Sequence, residues 1–232
     1  MKVAVLVLAA GRGERLGGAL PKAFVPLLGR PILLRSLEVM AGVPEVARVV
    51  PVVATEELER FARLDLDGIA WVQKITSPVP GGEQRQDSMR AGLAALDDSI
   101  SWVAVHDAAR PLVTPGEVSR VIAAGRESGA ALLAHPVRDT IKRVWDGVVV
   151  ETPARSECWA AQTPQVFRRE LLEQALAEAE GVVATDDAQL VERLGVPVCV
   201  VEGSPENIKI TLSADLALAE AILGVRGVGV KG

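Results

Sequence analysis

The sequence predicts an α/β protein: a mainly parallel, twisted sheet with helices on both faces, plus a protruding β-hairpin arm. Three observations carry that prediction. Apolar, β-rich runs alternate with amphipathic helical segments along the 232 residues, a spacing that implies parallel strands joined by crossover helices. The first run, Val3 to Ala10, is apolar at every position, as a buried strand of a parallel sheet is. Asp146-Gly147 separates two β-branched runs where the alternation breaks, which is a short-range hairpin signal.

In chain order, Lys2–Leu8 is the opening strand and Ile32–Ala41 the first amphipathic helix. The β-rich run Ala47–Val53, the helix Thr55–Leu64 and the short run Ile69–Gln73 follow. Gln84–Leu96 is helical and Trp102–His106 extended. Pro115–Ser128 is a helix with a legible start: Thr114 is the cap, proline takes the first helical position, and Glu117 completes a capping box. Ala130–Ala134 is a strand. Pro136 to Gln162 breaks the pattern and forms the arm, with Val148–Glu151 as its second strand. A two-stranded arm is marginal alone, so it is expected to pack on a second subunit. Arg169–Ala179 and Asp186–Leu194 are helices, the second with Thr185 as cap and Asp186-Asp187 in its first turn. Val196–Glu202 is the last strand and Ala214–Leu223 the last helix.

Composition narrows the function. With 49% hydrophobic and 24% charged residues, the chain holds a real core, and its length suits one domain over 1–232. Val3 to Ala10 is too short to span a bilayer, and one lysine followed directly by strand is no export signal. Cys158 and Cys199 form no cluster with His106 or His135, which argues against zinc and disulfides. A cytoplasmic setting is expected. A net charge of -5, without a basic stripe or a stacking set, argues against a nucleic-acid partner.

Against that acidic total, the stretch from Ala9 to Lys22 carries Arg12, Arg15 and Lys22 with Glu14, a local charge of +2. A buried strand opening into a glycine-rich cationic loop is how proteins hold phosphates: glycines let N–H groups approach the anion, and Arg or Lys neutralises it. Past the carboxyl end of a strand is also where open α/β sheets bind ligands. The loop is neither a dinucleotide fingerprint, since its third glycine falls one place late, nor a Walker A loop, since no G-K-[ST] follows. Its bland reading is a tight strand–helix turn with surface cations.

Four more polar clusters sit in loops or at strand ends. Pro80-Gly81-Gly82-Glu83-Gln84-Arg85-Gln86-Asp87-Ser88 offers N–H groups and a hydroxyl to a base or ribose, or is an ordinary cap. His106-Asp107-Ala108-Ala109-Arg110-Pro111 follows a strand, and Asp107 there suits Mg²⁺, which takes one or two carboxylates plus phosphate oxygens and water. His106 reads equally as a satisfied structural histidine. The others are Arg138-Asp139-Thr140 with Arg155 and Thr163-Pro164-Gln165, and Glu206-Asn207-Ile208-Lys209-Ile210-Thr211. Each alone reads as a solvated face, but Arg155 and Lys209 would serve a second anionic substrate.

Taken together and in order, these motifs, with Pro136-Val-Arg-Asp-Thr-Ile-Lys142 and Thr185-Asp186, resemble the 2-C-methyl-D-erythritol 4-phosphate cytidylyltransferases of non-mevalonate isoprenoid biosynthesis. The resemblance spans residues 2 to 223. Leu8, where the family often has proline, and Glu83, where Asp is common, depart from its pattern. The resemblance implies a Rossmann-like domain, CTP and a polyol phosphate as substrates, a divalent cation such as Mg²⁺, and a homodimer. It implies that Arg15 and Lys22 stabilise the transition state and that Arg155 and Lys209 orient the attacking phosphate. CTP would be held by Ala9, Ala10, Gly11, Arg12, Gly13, Gly82, Arg85, Ser88, Asp107 and Ala108, with Asp107 on the metal. Arg110, Thr140, Thr163 and Thr185 would contact the acceptor, Arg110 and Thr140 of them in the neighbouring subunit. Ribitol 5-phosphate is the rival acceptor. A nucleotide-dependent oxidoreductase and a non-catalytic nucleotide sensor are the rival classes.

Overall fold

The computed structural model describes residues 2–11, 20–66, 69–179 and 184–228. In chain order the elements are β1 (Lys2–Ala9), β2 (Pro26–Leu27), β3 (Arg30–Pro31), α1 (Ile32–Gly42), β4 (Val46–Val53), α2 (Leu58–Ala62), β5 (Val79–Pro80), α3 (Arg85–Ala94), β6 (Ile100–Asp107) and α4 (Pro115–Ser128). They continue with β7 (Ala130–Pro136), β8 (Arg143–Trp145), β9 (Val148–Glu151), β10 (Trp159–Arg168), α5 (Arg169–Glu178), α6 (Asp187–Arg193), β11 (Cys199–Glu202) and α7 (Ser213–Val225).

Seven strands form one sheet in the order β11-β7-β10-β6-β1-β4-β5. Every pairing is parallel except those of β10, which runs antiparallel to both β6 and β7. Side chains alternate across β1, so Val3, Val5 and Val7 enter one core while Ala4 and Leu6 enter the other. The first core is closed by α1, α2 and α4 and the second by α3, α5 and α6. Burial on both faces is the physical reason for the unbroken apolar run at the N-terminus. A third, smaller cluster joins Leu27 and Ile32 to Ile210, Ala219 and Leu223, seating α7 beside the β2–β3 ribbon.

The capping box at Thr114 forms as read: its hydroxyl oxygen accepts from the Glu117 N–H at 3.3 Å, and the Glu117 carboxylate accepts from the Thr114 N–H at 2.8 Å. For α6 the cap is Asp186 instead of Thr185, because the Asp186 carboxylate accepts from the Gln189 N–H at 3.0 Å. The arm hairpin turns at Asp146 (φ 47°) and Gly147 (φ 75°), the left-handed pair a type I′ turn requires.

Three readings need correction. Ile69–Gln73 is not a strand. Trp71 takes φ 64°, the chain turns through Val72–Lys74, and only Ile75 bridges to Val49. The edge strand is instead β5. The segment Thr55–Leu64 splits into a 3₁₀ turn, Thr55–Glu57, and the short α2. Most consequential is β10, which no pattern in the sequence predicts. Its sequence, WAAQTPQVFR, has no alternation and carries Pro164, which lacks the N–H a central strand uses. The strand accommodates it by breaking register with β7 between Ala161 and Gln165.

Candidate active site

The chain runs β1, β4, β5 to one side of the sheet, then returns to place β6 on the other side of β1. The carboxyl ends of β1 and β6 therefore form the topological switch point where open α/β sheets bind ligands. Leu8 pairs in register with Asp107, and the Ala108 N–H donates to the Leu8 carbonyl at 3.0 Å. A cavity of about 190 Å³ opens there, lined by Leu8, Ala9, Ala10, Gly11, Lys22, Ala23, Gly82, Glu83, Gln84, Arg85, Ser88, Asp107, Ala108, Ala109 and Lys209. A larger cavity of about 690 Å³, between α1, the β2–β3 ribbon and the end of α7, includes no strand-end carboxylate and no residue of the sequence clusters but Pro111.

Gly81 and Gly82 are required by contact. A Cβ on Gly81 would lie 2.5 Å from the Ala10 Cβ and 2.7 Å from the Ser88 Oγ, and one on Gly82 would lie 2.3 Å from the Asp87 Cβ. Asp87 is fixed because its carboxylate accepts from the Gln84 N–H at 3.1 Å in the cap of α3. The Gly81 backbone thus packs directly on the side chains of Ala10 at the end of β1 and Ser88 of α3. Gly81→Ala forces them apart. Overpacking of about 1–3 kcal/mol should appear mainly as a KM for the ligand of this cavity raised about tenfold or more. Steady-state kinetics beside a melting curve checks this, and an unchanged KM would show the contact to be uninvolved.

Charge is ordered along the cavity floor. Lys209 Nζ lies 2.7 Å from Asp107 Oδ2, Arg85 Nη2 lies 3.2 Å from Asp107 Oδ1, and Arg85 Nη1 donates to Asp187. The row Lys209–Asp107–Arg85–Asp187 alternates in sign. Burial alone would raise the Asp107 carboxyl, but Arg85 and then Lys209 outweigh it and hold it well below the usual carboxylate range. Burial opposes the Arg85 charge too, but Asp187 and Asp107 more than restore it, so Arg85 stays cationic. Lys22, Arg85 and Lys209 set against Glu83 and Asp107 leave the described lining net positive, which suits an anionic ligand. Lys22 opens a short turn anchored by buried Ala23 and Phe24.

His106 proves structural. It is fully buried. Its Nε2 faces the Arg110 carbonyl at 3.2 Å, so that nitrogen carries the proton, and its Nδ1 accepts from the Thr163 hydroxyl at 3.0 Å. The same hydroxyl oxygen accepts from the Asp107 N–H at 3.0 Å. Burial pushes the imidazole down from 6.5 to about 4. Between those values the unfolded chain binds more protons than the folded one, so stability falls as pH drops from 6.5 and is lost progressively down to about 4. Denaturant melts at pH 4.5 and 7 should show that loss in the native chain and a smaller one in His106→Gln.

The structure gathers Ala9, Ala10, Gly11, Lys22, Gly82, Arg85, Ser88, Asp107, Ala108 and Lys209 into one cavity. Arg12, Gly13 and Arg15 lie outside the described residues. Thr163 is not among the residues lining the cavity: it is 4% exposed, and its hydroxyl is held between Asp107 and His106. Arg110 commits its guanidinium to the carbonyls of Asn207 and Ala161 at 2.8 and 3.3 Å, so within this protomer it braces the Asn207 loop against β10. Thr185 is exposed, and its N–H donates to the Gln189 side chain. Thr140 and Arg155 are exposed on the arm, where Arg155 donates to the Arg138 carbonyl at 2.9 Å. In the sequence Asp187 carries only the signal of a first-turn acid. No local signal marks it as the partner of Arg85, because the pairing spans 102 positions.

The family model described as IspD, 2-C-methyl-D-erythritol 4-phosphate cytidylyltransferase, matches residues 3–225. The chain is 46% identical over 228 residues to the 2-C-methyl-D-erythritol 4-phosphate cytidylyltransferase of Pelotomaculum thermopropionicum, covering 97% of this chain and 95% of that protein. The crystal structure of the Thermus thermophilus cytidylyltransferase of that name superposes with TM-score 0.77 at 36% identity, covering 96% of this chain and 98% of the other. That of the 4-diphosphocytidyl-2C-methyl-D-erythritol synthase from Anaerococcus prevotii gives TM-score 0.83 at 28% identity, covering 96% of each.

Proposed function

This chain belongs to the 2-C-methyl-D-erythritol 4-phosphate cytidylyltransferase family, and we propose from its site how the reaction runs on these residues. The enzyme transfers CMP from CTP to 2-C-methyl-D-erythritol 4-phosphate, giving 4-diphosphocytidyl-2-C-methyl-D-erythritol and pyrophosphate. The observation that supports the residue roles is the cationic cavity at the β1/β6 switch point, with Lys22, Arg85 and Lys209 around Asp107.

An oxygen of the acceptor phosphate attacks the α-phosphorus of CTP in line. One P–O bond forms as the bond to pyrophosphate breaks, and no proton need move because the monoester is already anionic. The difficulty is repulsion between anions, so positioning and electrostatic stabilisation carry the catalysis. The backbone from Ala9 to Gly13, with Arg12, cradles the triphosphate. Lys22 and Arg15 neutralise charge growing on the α-phosphoryl group and the departing pyrophosphate. Gly82, Ser88 and Ala108 read cytosine and ribose, and Arg85 steadies the carboxylate beside them. Lys209 and Arg155 orient the attacking phosphate, with Thr140, Thr185 and the partner protomer's arm completing that half of the site.

Asp107 suits a divalent cation such as Mg²⁺: it is ionised, borders the cavity, and its two present partners sit on long side chains. Among the described residues no three His, Cys, Asp or Glu side chains gather, so phosphate oxygens and water would complete the shell. Bound there, the ion would neutralise and orient the triphosphate oxygens.

We read the whole chain, 1–232, as one nucleotidyltransferase domain with the arm, about 136–162, inserted, working as a homodimer in the cytoplasm. Trp145 is 78% exposed and Val148 65%, an apolar surface that a second copy would cover. Sedimentation velocity tests the dimer, and a monomer at working concentration would remove it. Pyrophosphate release with CTP and Mg²⁺, run in parallel with methylerythritol 4-phosphate and ribitol 5-phosphate, tests the function. Release with the first alone is expected. Release with ribitol phosphate alone would overturn the acceptor and leave the residue roles standing.

A further inference from the structure

We propose that Asn207 is a positioning residue whose work is to place Lys209. The inference rests on the role given to Lys209 above. Asn207 is fully buried, so it touches no substrate, yet it stands two residues before the lysine that pairs with Asp107. Its amide Nδ2 donates to the Thr163 carbonyl at 3.1 Å and to Gln162 Oε1 at 3.4 Å. Its own carbonyl accepts from Arg110 Nη1 at 2.8 Å and from Gln162 Nε2 at 3.3 Å. One residue thereby ties its loop to β10 through Gln162 and Thr163, and to the exit of β6 through Arg110.

Just beyond Lys209, the Ile210 N–H donates to the Ala109 carbonyl at 2.8 Å, and the Ile210 side chain is fully buried. Lys209 is therefore held from both sides, before it by ties to β10 and after it by a tie to the exit of β6. Its side chain is 41% exposed, and a loop with that much freedom would not by itself keep the ammonium 2.7 Å from Asp107. Buried polar networks are restrictive in this way because a shifted member leaves donors and acceptors unpaired in low dielectric. No apolar side chain would substitute, since the Thr163 carbonyl needs a donor from this position.

The test is a double-mutant cycle with a structural readout. Asn207→Ala should lower kcat about tenfold to a hundredfold, the scale expected of a group displaced by about 1 Å, with KM for CTP held within about twofold. In a Lys209→Met background the same change should cost less than about twofold, because the residue it positions is gone. A crystal structure of Asn207→Ala should show Lys209 away from Asp107. Losses that multiply across the cycle, or a Lys209 still seated on Asp107, overturn the proposal. An unchanged kcat in Lys209→Met alone overturns instead the role given to Lys209. Gln162→Met removes two of the same ties and is read identically should Asn207→Ala fail to fold. Loss of fold in both assigns the network to stability alone and overturns the proposal.

Discussion

Lys22→Ala lowers kcat by about two powers of ten or more, the loss expected when one transition-state contact of about 3 kcal/mol disappears. The expectation follows from where the residue sits. Pro21 sets the approach, the Phe24 N–H closes a turn on the Pro21 carbonyl at 2.9 Å, and Ala23 and Phe24 are each 6% exposed. The lysine is thus carried by a turn whose anchors point into the core while its own side chain borders the cavity. Truncating it leaves those anchors intact, so circular dichroism and the melting temperature should change little. In the role proposed for it, its charge would meet the triphosphate in the ground state as well, so KM for CTP should rise, but by less than kcat falls. Steady-state pyrophosphate release checks both. An intact kcat in a folded variant would remove Lys22 from the chemistry.

How much of this was legible in the sequence depends on the range of the signal. The opening strand and the place of Asp107 at the end of β6 follow from local features: an unbroken apolar run and an acid at a strand end. The cap at Thr114 and the Asp146-Gly147 turn are equally local and form as read. β10 was hidden because Gln162, Thr163 and Gln165 look like loop residues until the Asn207 loop, β6 and the start of α6 respectively satisfy them. Gln165 donates to Asp186 and accepts from the Ala188 N–H, both at 2.9 Å, more than 20 positions away. The same long range explains Thr163. A hydroxyl beside a proline invites a substrate role, and only the pairing of β10 with β6 brings it to the Asp107 N–H and the His106 ring. The partnership of Arg85 with Asp187 is likewise a product of α3 meeting the start of α6, which no pattern in either helix announces.

Asp107→Asn separates binding from turnover by moving them in opposite directions. The native carboxylate accepts from Arg85 on one oxygen and from Lys209 on the other. An amide of the same shape keeps one acceptor and turns an N–H₂ toward the second cation, so one pair must open. Arg85 retains Asp187, which leaves Lys209 as the group released. Removing a negative charge beside the triphosphate should tighten CTP binding when measured in a chelator, because repulsion at this range is substantial at low effective dielectric. The Mg²⁺-dependent increment in CTP binding should vanish, since a neutral amide is a poor ligand for a hard cation. Turnover should fall at least about a hundredfold, as for other lost electrostatic contacts at a reacting phosphoryl group. Because Arg85 and Lys209 hold Asp107 ionised well below the usual carboxylate range, the ratio between native and variant rates should stay flat from neutral pH down to the onset of acid unfolding. Calorimetric titration of CTP with and without Mg²⁺, beside kcat at several pH values, measures all of this. Weaker CTP binding in the chelator would mean that Asp107 holds the nucleotide site together through its two cations, with metal binding no part of its role.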